Sequence, residues 1–290
     1  MKVQIGDRWV GDGAPCYVVA EIGINHNGSL EIASKLIHEA AAAGCQAVKF
    51  QKRTVDLVYT AEELARPRES VFGKTNGDLK RGLEFGKREY DAIDVICREC
   101  GIVWFASAWD IPSVEFLEQY DVPCHKVASA CLTDLPLIER MDLTHKPLIL
   151  STGMSTLGEI TLALSAMRKS WNSILLHCCS GYPSKDSDLN LRCIPSLYRE
   201  YQGLIGYSGH EIGLATTLAA VAMGACMVER HFTLDRSMWG SDQSASIEPH
   251  AMARLVRDIR AIESAMGDGV KRVLPCEEAA RAKLRRVQHV

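Results

Sequence analysis

The stretch VVAEIGINHNG, Val18 to Gly28, begins as an apolar strand and ends in a carboxylate, Glu21, followed by Asn25, His26 and Asn27. A chain reversal there needs only Gly and Asn, so the glutamate is a candidate for chemistry. Polar strand ends recur along the chain. AVKFQ sets Lys49 and Gln51 two apart, hence on one strand face. WFASAWD gives Ser107, with Trp109 and Asp110 beyond it, and HKVAS gives Lys126 and Ser129. LILSTG gives Ser151 and Thr152, and LLHCCSGY gives His177, Ser180 and Tyr182. YSGH gives Ser208 and His210, and MVERH gives Glu229 and His231, again on one face.

Taken singly, each has an ordinary explanation. A strand-end lysine pairs with an acid, and Ser-Thr-Gly caps a helix. Together they point further. Lysines inside a fold need counter-anions, and lysines, hydroxyls and helix N-termini suit a small multiply charged anion such as phosphate. Neutral His210 and His231 would hold one divalent metal, leaving positions open for water and substrate.

These ends belong to eight apolar β-rich runs, each followed by an amphipathic stretch. CYVVAEI precedes SLEIASKLIHEAAAAG, where Ile32, Leu36, Ile37 and Ala40 form one helical face and Gly44 a stop. Strict alternation implies parallel strands with right-handed crossovers. Eight units in 290 residues favour a closed (β/α)8 TIM barrel, an α/β fold, over an open doubly wound sheet. No GxGxxG follows the first strand, which weakens a dinucleotide-binding reading. Residues 1–15 read as an N-terminal β-hairpin turning at Gly6-Asp7 and plugging or flanking the barrel. Residues 270–290 read as a basic tail helix, and the whole of 1–290 as a single catalytic domain.

A net charge of -3 recommends no nucleic acid partner. No apolar run is long enough to span a membrane, and no signal-peptide core opens the chain. Eleven scattered cysteines read as reduced thiols of a cytoplasmic protein rather than a disulfide framework. The CxxC at Cys97 and Cys100 has no second pair and reads as structural.

The motifs AEIGINHNG, AVKFQK, HKVAS, LSTGMS, YSGH and ERHFTLDR together resemble the sialic acid synthase family. That resemblance implies a (β/α)8 barrel that condenses phosphoenolpyruvate with an aldose to give a nonulosonic acid and phosphate. By the resemblance, Glu21 is the catalytic glutamate, and Lys49, Lys126 and Ser129 hold phosphoenolpyruvate. Ser107 stands where the family usually has Thr. Ser151, Ser180 and Ser208 match further phosphate contacts. His210 and His231 match the metal ligands, for Mn2+ or Mg2+, and Gln51, Tyr182 and Asp242 match contacts to the acceptor sugar. Assembly as a homo-oligomer is expected.

Two departures stand out. The acid that touches the sugar in N-acetylneuraminate synthases falls at Cys131, and a thiol does not replace a carboxylate's paired hydrogen bonds. The resemblance is to barrel-only relatives, and the family's usual C-terminal antifreeze-like domain is expected to be absent. GSDQ at Gly240 to Gln243, where longer members tend to have GPDH, also points to an altered acceptor. The insertion 53–85 reads as a loop with a short helix at Ala61–Leu64, a lid or acceptor-specificity element with Arg66, Arg68 and Lys74 as contacts. Two alternatives stay open. One is a 3-deoxy-ulosonic acid synthase using a phosphorylated aldose, the other a non-catalytic sugar-acid-binding homologue.

Overall fold

The computed structural model describes residues 1–168 and 172–287. Strands β1 (Lys2–Ile5) and β2 (Arg8–Gly11) form the expected antiparallel hairpin. The barrel begins at β3 (Tyr17–Gly23), buried at every residue, followed by α1 (Leu30–Ala42). Ser29 caps α1 through the Ile32 N–H, and Gly44 follows with φ +85°.

After β4 (Ala47–Lys52) the chain leaves the barrel through α2 (Val55–Val58), α3 (Ala61–Ala65), β5 (Pro67–Ser70), β6 (Gly73–Thr75) and α4 (Asn76–Leu83). It returns as α5 (Lys87–Cys100), β7 (Val103–Ala108), α6 (Ile111–Glu118), β8 (His125–Val127) and α7 (Leu135–Asp142). Then come β9 (Leu148–Ser151), α8 (Leu157–Ala166), β10 (Ser173–Cys178), α9 (Cys193–Tyr201), β11 (Leu204–Gly209) and α10 (Ala215–Ala222). The order ends with β12 (Met227–His231), α11 (Pro249–Met266) and α12 (Glu278–Leu284). Eight of the described strands, β3, β4 and β7 to β12, are parallel neighbours and close into a barrel, as the eightfold alternation predicts.

Val3, Ile5 and Val10 of the hairpin join the core at the strands' N-terminal end. Gly6 lies against Val103, the first residue of β7, and Gly11 against Leu204, the first of β11. The hairpin is thus a floor.

Two expectations need correcting. The insertion is not a loop with one helix but a folded unit of three short helices and a hairpin. A capping box closes its last helix, with Thr75 and Asp78 bonding each other's backbone N–H. The tail helix is short, and its surroundings from Gly267 onward are exposed. Residues 288–290, and the end of the stretch expected to extend α8, lie outside the described residues.

Candidate active site

Strand alternation brings the polar ends together. Glu21 pairs in register with Lys49 and His231, Gln51 with Ser107, Ser107 with Lys126, and Ser208 with Glu229. Their side chains line one cavity of about 220 Å³ at the C-terminal end of the barrel, joined by Ser129, Ser151, Ser180, Tyr182 and His210. The residues between them face outward. His177 bonds the Leu189 carbonyl at 2.7 Å, and Arg230 pairs with Glu211 at 3.1 Å behind the barrel wall. His177, Asp110 and Thr152 are strand-end groups that the cavity does not use. Asp110 caps α6 and takes two hydrogen bonds from Thr54, and Thr152 bonds the Leu176 carbonyl.

Two glycines let the walls close. Gly23 follows a β-bulge at φ +54°, and a Cβ there would stand 2.9 Å from Glu21 Oε1 and 3.0 Å from Gln51 Nε2. Gly153 donates its N–H to Ser129 Oγ at 3.1 Å, and a Cβ on it would press on Ser129, Ser180 and Cys178. The anion-sized hollow among those hydroxyls exists because position 153 has no side chain.

Charge inside the cavity is arranged around two buried ammonium groups. Lys49 Nζ lies 2.8 Å from Glu21 Oε2, 3.6 Å from Glu229 Oε1 and 3.0 Å from Ser107 Oγ. Burial works against the Lys49 charge, but the two carboxylates outweigh it and its pKa lies above the ordinary lysine value. Lys126, 1% exposed, bonds only the Ser151 hydroxyl and the Val127 carbonyl, with no carboxylate in ion-pair range among the described residues. Burial lowers its pKa, with Glu229 opposing.

The two carboxylates differ. Burial drives Glu21 up to about 7 against the pull of Lys49, and the neighbouring Glu229 adds to the rise. Glu229 is also opposed by burial, yet Lys49 and Lys126 hold it below the usual carboxylate range. The cavity therefore moves the two carboxylates apart, Glu21 above and Glu229 below the usual range. Gln51 Nε2 donates to Glu21 Oε1 at 3.0 Å, and buried Arg53, stacked on Trp109 at 4.6 Å, donates to Gln51 Oε1.

His210 and His231 face each other with ring centroids 5.3 Å apart. The Cys179 carbonyl accepts from His210 Nδ1 at 2.7 Å, so Nε2 carries the lone pair and accepts from the Tyr182 hydroxyl at 3.0 Å. Burial pushes His210 down to about 4 and lowers His231 as well, so both rings are neutral. His231 Nδ1 and Glu229 Oε2 have no hydrogen-bond partner among the described residues. Asp242 Oδ2 stands 3.7 Å from His231 Nδ1 at the cavity rim. Neutral imidazoles fit a divalent cation: His231 Nδ1 is unpartnered, and the His210 Nε2 lone pair is covered only by the Tyr182 hydroxyl. No cluster of three His, Cys, Asp or Glu ligands exists among the described residues, so such a cation would keep open positions.

Of the predicted site residues, all but Asp242 line the cavity, and Asp242 borders it. Cys131 does not line it. It packs in the core, in the same 3-10 turn as Ser129, with burial raising its thiol to about 11. Asn25 and His26 are structural: Asn25 bonds the Phe232 carbonyl and Ser246, and His26 stacks on Phe85 at 3.8 Å. Sequence reasoning named Glu229 at its strand end without a role, although its spacing from His231 aims it inward. It also passed over Arg53, where only the burial of the segment would have signalled a task.

A family model described as the NeuB family matches residues 36–271. The chain belongs to the NeuB family. Other NeuB-type proteins are similar along nearly its whole length. An N-acetylneuraminate-9-phosphate synthase of Homo sapiens is 40% identical, covering 96% of this chain and 78% of its own. An N,N'-diacetyllegionaminic acid synthase of Campylobacter jejuni is 36% identical, covering 90% and 80%. A crystal structure of an N-acetylneuraminic acid synthetase from Leptospira borgpetersenii, in complex with citrate, superposes with TM-score 0.86 at 32% identity, over 99% of this chain and 98% of that one. A truncated 3-deoxy-D-arabino-heptulosonate 7-phosphate synthase of Thermotoga maritima, at 16% identity and TM-score 0.71, shares the fold. The six-motif resemblance is borne out at the level of family and barrel.

Proposed function

We propose that this NeuB-family chain is a synthase that condenses phosphoenolpyruvate with an aldose of the N-acetylmannosamine type, releasing inorganic phosphate and a nonulosonic acid. The observation that carries the reading is Lys126, a buried ammonium lacking a carboxylate partner among the described residues, in a ring of hydroxyls. A buried cation of that kind calls for an anionic ligand, and a phosphate ester with a carboxylate meets the need of both lysines.

In this reading Lys49 and Lys126 fix the donor's two anionic groups, with Ser129, Ser151, Ser180 and Ser208 bonding phosphate oxygens, so positioning supplies much of the rate. Carbon 3 of the enol attacks the aldehyde carbon, and positive charge develops at carbon 2. Water adds at carbon 2, and the bond from carbon 2 to the phosphate oxygen breaks, phosphate leaving with the electron pair. Glu21, poised near 7, takes the proton of that water. Glu229 stays ionised and steadies the cationic centre. Gln51 orients Glu21, and Tyr182 and Asp242 face the acceptor at the rim. His210 and His231 would hold a divalent cation such as Mn2+ or Mg2+, which would supply Lewis-acid polarisation of the acceptor's carbonyl. Eleven free thiols suit a cytoplasmic setting.

The two alternatives are less well supported. The heptulosonate synthase shares only the fold, and a binding protein would not need a carboxyl poised near neutrality beside two fixed ammonium groups. The deciding experiment is phosphate release from phosphoenolpyruvate across a panel of aldoses, with mass spectrometry of the product. A product heavier than the aldose by the pyruvyl unit supports the reading; no release with any aldose sinks it.

A further inference from the structure

Arg53 is 6% exposed, yet it stands one residue beyond β4, where the insertion begins. It shares the parity of Lys49 and Gln51 and continues their row past the strand end. Four groups hold its guanidinium. The Tyr59 hydroxyl accepts from Nη1 at 2.9 Å, Glu84 Oε2 stands 3.9 Å from Nε, and the Trp109 ring stacks on it at 4.6 Å. Gln51 Oε1 accepts from Nη2. Tyr59 follows α2 and Glu84 follows α4, so the insertion grips Arg53 from both of its ends. Glu84 is itself fixed, accepting from Lys52 Nζ at 2.7 Å and from the Arg53 backbone N–H at 3.0 Å. By contrast, Arg66, Arg68 and Lys74, which the sequence offered as acceptor contacts, are not among the residues that line the catalytic cavity.

A side-chain amide is ambivalent: turning it over exchanges donor and acceptor with little change of shape. A guanidinium is not, because it carries five donors and no acceptor. Facing Arg53, Gln51 can present only its oxygen, and its NH2 is then turned to Glu21 Oε1, 3.0 Å away. Lys49 Nζ lies 2.8 Å from the other oxygen, Oε2. Each oxygen of Glu21 is thus met by its own donor, and both donors come from β4. With the amide reversed, its oxygen would face the carboxylate, two acceptors with no proton between them.

We propose that Arg53 is a positioning residue for the condensation, fixing the Gln51 amide with its NH2 toward Glu21 so that the carboxylate is held open-faced to the donor. This rests on the synthase reading above, which gives Glu21 its task. Arg53 touches no reacting atom in this arrangement and acts through Gln51. The insertion is thereby a buttress for the catalytic carboxylate, since Tyr59 and Glu84 set the guanidinium in place.

The test measures phosphate release from phosphoenolpyruvate, with the aldose of highest turnover in the panel above, in the full chain carrying Arg53→Met, Arg53→Lys, Gln51→Met or Arg53→Met with Gln51→Met. Arg53→Met is expected to lower kcat by about 10- to 100-fold, the scale of a misplaced catalytic group, with KM for phosphoenolpyruvate unchanged. Arg53→Lys should recover most of that loss, because an ammonium also only donates. The double variant should be no slower than Gln51→Met alone, since no amide is left to orient. Full kcat in Arg53→Met, a loss as deep in Arg53→Lys, or a further loss in the double variant each overturns the positioning role and leaves the synthase intact. Should Arg53→Met fail to bind phosphoenolpyruvate in calorimetry, Arg53→Gln takes its place, its amide offering Gln51 either a donor or an acceptor. A kcat for Arg53→Gln below that of Arg53→Lys supports the role, and one equal to or above it overturns it. Absence of phosphate release by the wild type with every aldose overturns both readings.

Discussion

Glu21 and Glu229 face one ammonium from neighbouring strands, and the cavity shifts their pKa values in opposite directions. Glu21→Gln keeps the shape and the hydrogen bond to Gln51 but removes the proton acceptor. It should lower kcat by about 10²–10⁴-fold, the usual span of a general base, with donor binding retained in a calorimetric titration. Full activity in that variant would take Glu21 out of the mechanism. His26 gives a prediction of another kind. Burial, helped by Arg53, pushes it from 6.5 down to about 3, and its Nδ1 accepts from the Gly28 N–H. As pH falls below 6.5, the unfolded chain takes up a proton that the folded one refuses. Stability should drop by about 1.4 kcal/mol per pH unit for such a group. Urea midpoints measured between about pH 7 and about pH 5 should show this loss, and His26→Gln should flatten the slope. A slope unchanged in His26→Gln would mean that the ring is already protonated in the fold.

The barrel strands were readable because their chemistry is periodic. Residues such as Lys49 and Gln51, or Glu229 and His231, sit two apart in runs of Val, Phe and Met, and one parity must face inward. The insertion was not readable in that way. Its strands are four and three residues long, mostly exposed and charged, and carry no alternation. What holds them is long-range: Phe72 on Gly82 and Trp239, and Asp110 on Thr54. Cys131 shows the same limit. Its position along the chain suggested the sugar, but one turn of 3-10 helix points it into the core. Behind the wall, β12 carries a different load. Arg230 is fully buried and bonds Glu211, Thr217 and the Gly213 carbonyl. Burial opposes the Glu211 charge, yet Arg230 keeps its pKa low. Glu211→Leu strands the guanidinium without its partner and should cost about 3–5 kcal/mol in chemical denaturation. A loss below about 1 kcal/mol would show the arginine finding another partner or water.

At the scale of the whole molecule, the site is assembled from all eight strands, so its parts should fail together. Extraction of metal with EDTA should reduce turnover by about a hundredfold or more, with Mn2+ restoring it, and His231→Ala should lose that restoration. Undiminished activity in metal-free protein would remove His210 and His231 from that role. The hairpin floor has a consequence for kinetics. Val3, Ile5 and Val10 seal the end opposite the cavity, so the barrel is a cup with one mouth. Lys126 is fully buried inside it, whereas Tyr182, at the lip, is 50% exposed. A donor seated on Lys126 must pass the lip before an acceptor settles there. Addition is therefore ordered, with phosphoenolpyruvate first, and an aldose that arrives early stoppers the cup. Initial-rate plots should show substrate inhibition by excess aldose that saturating phosphoenolpyruvate relieves.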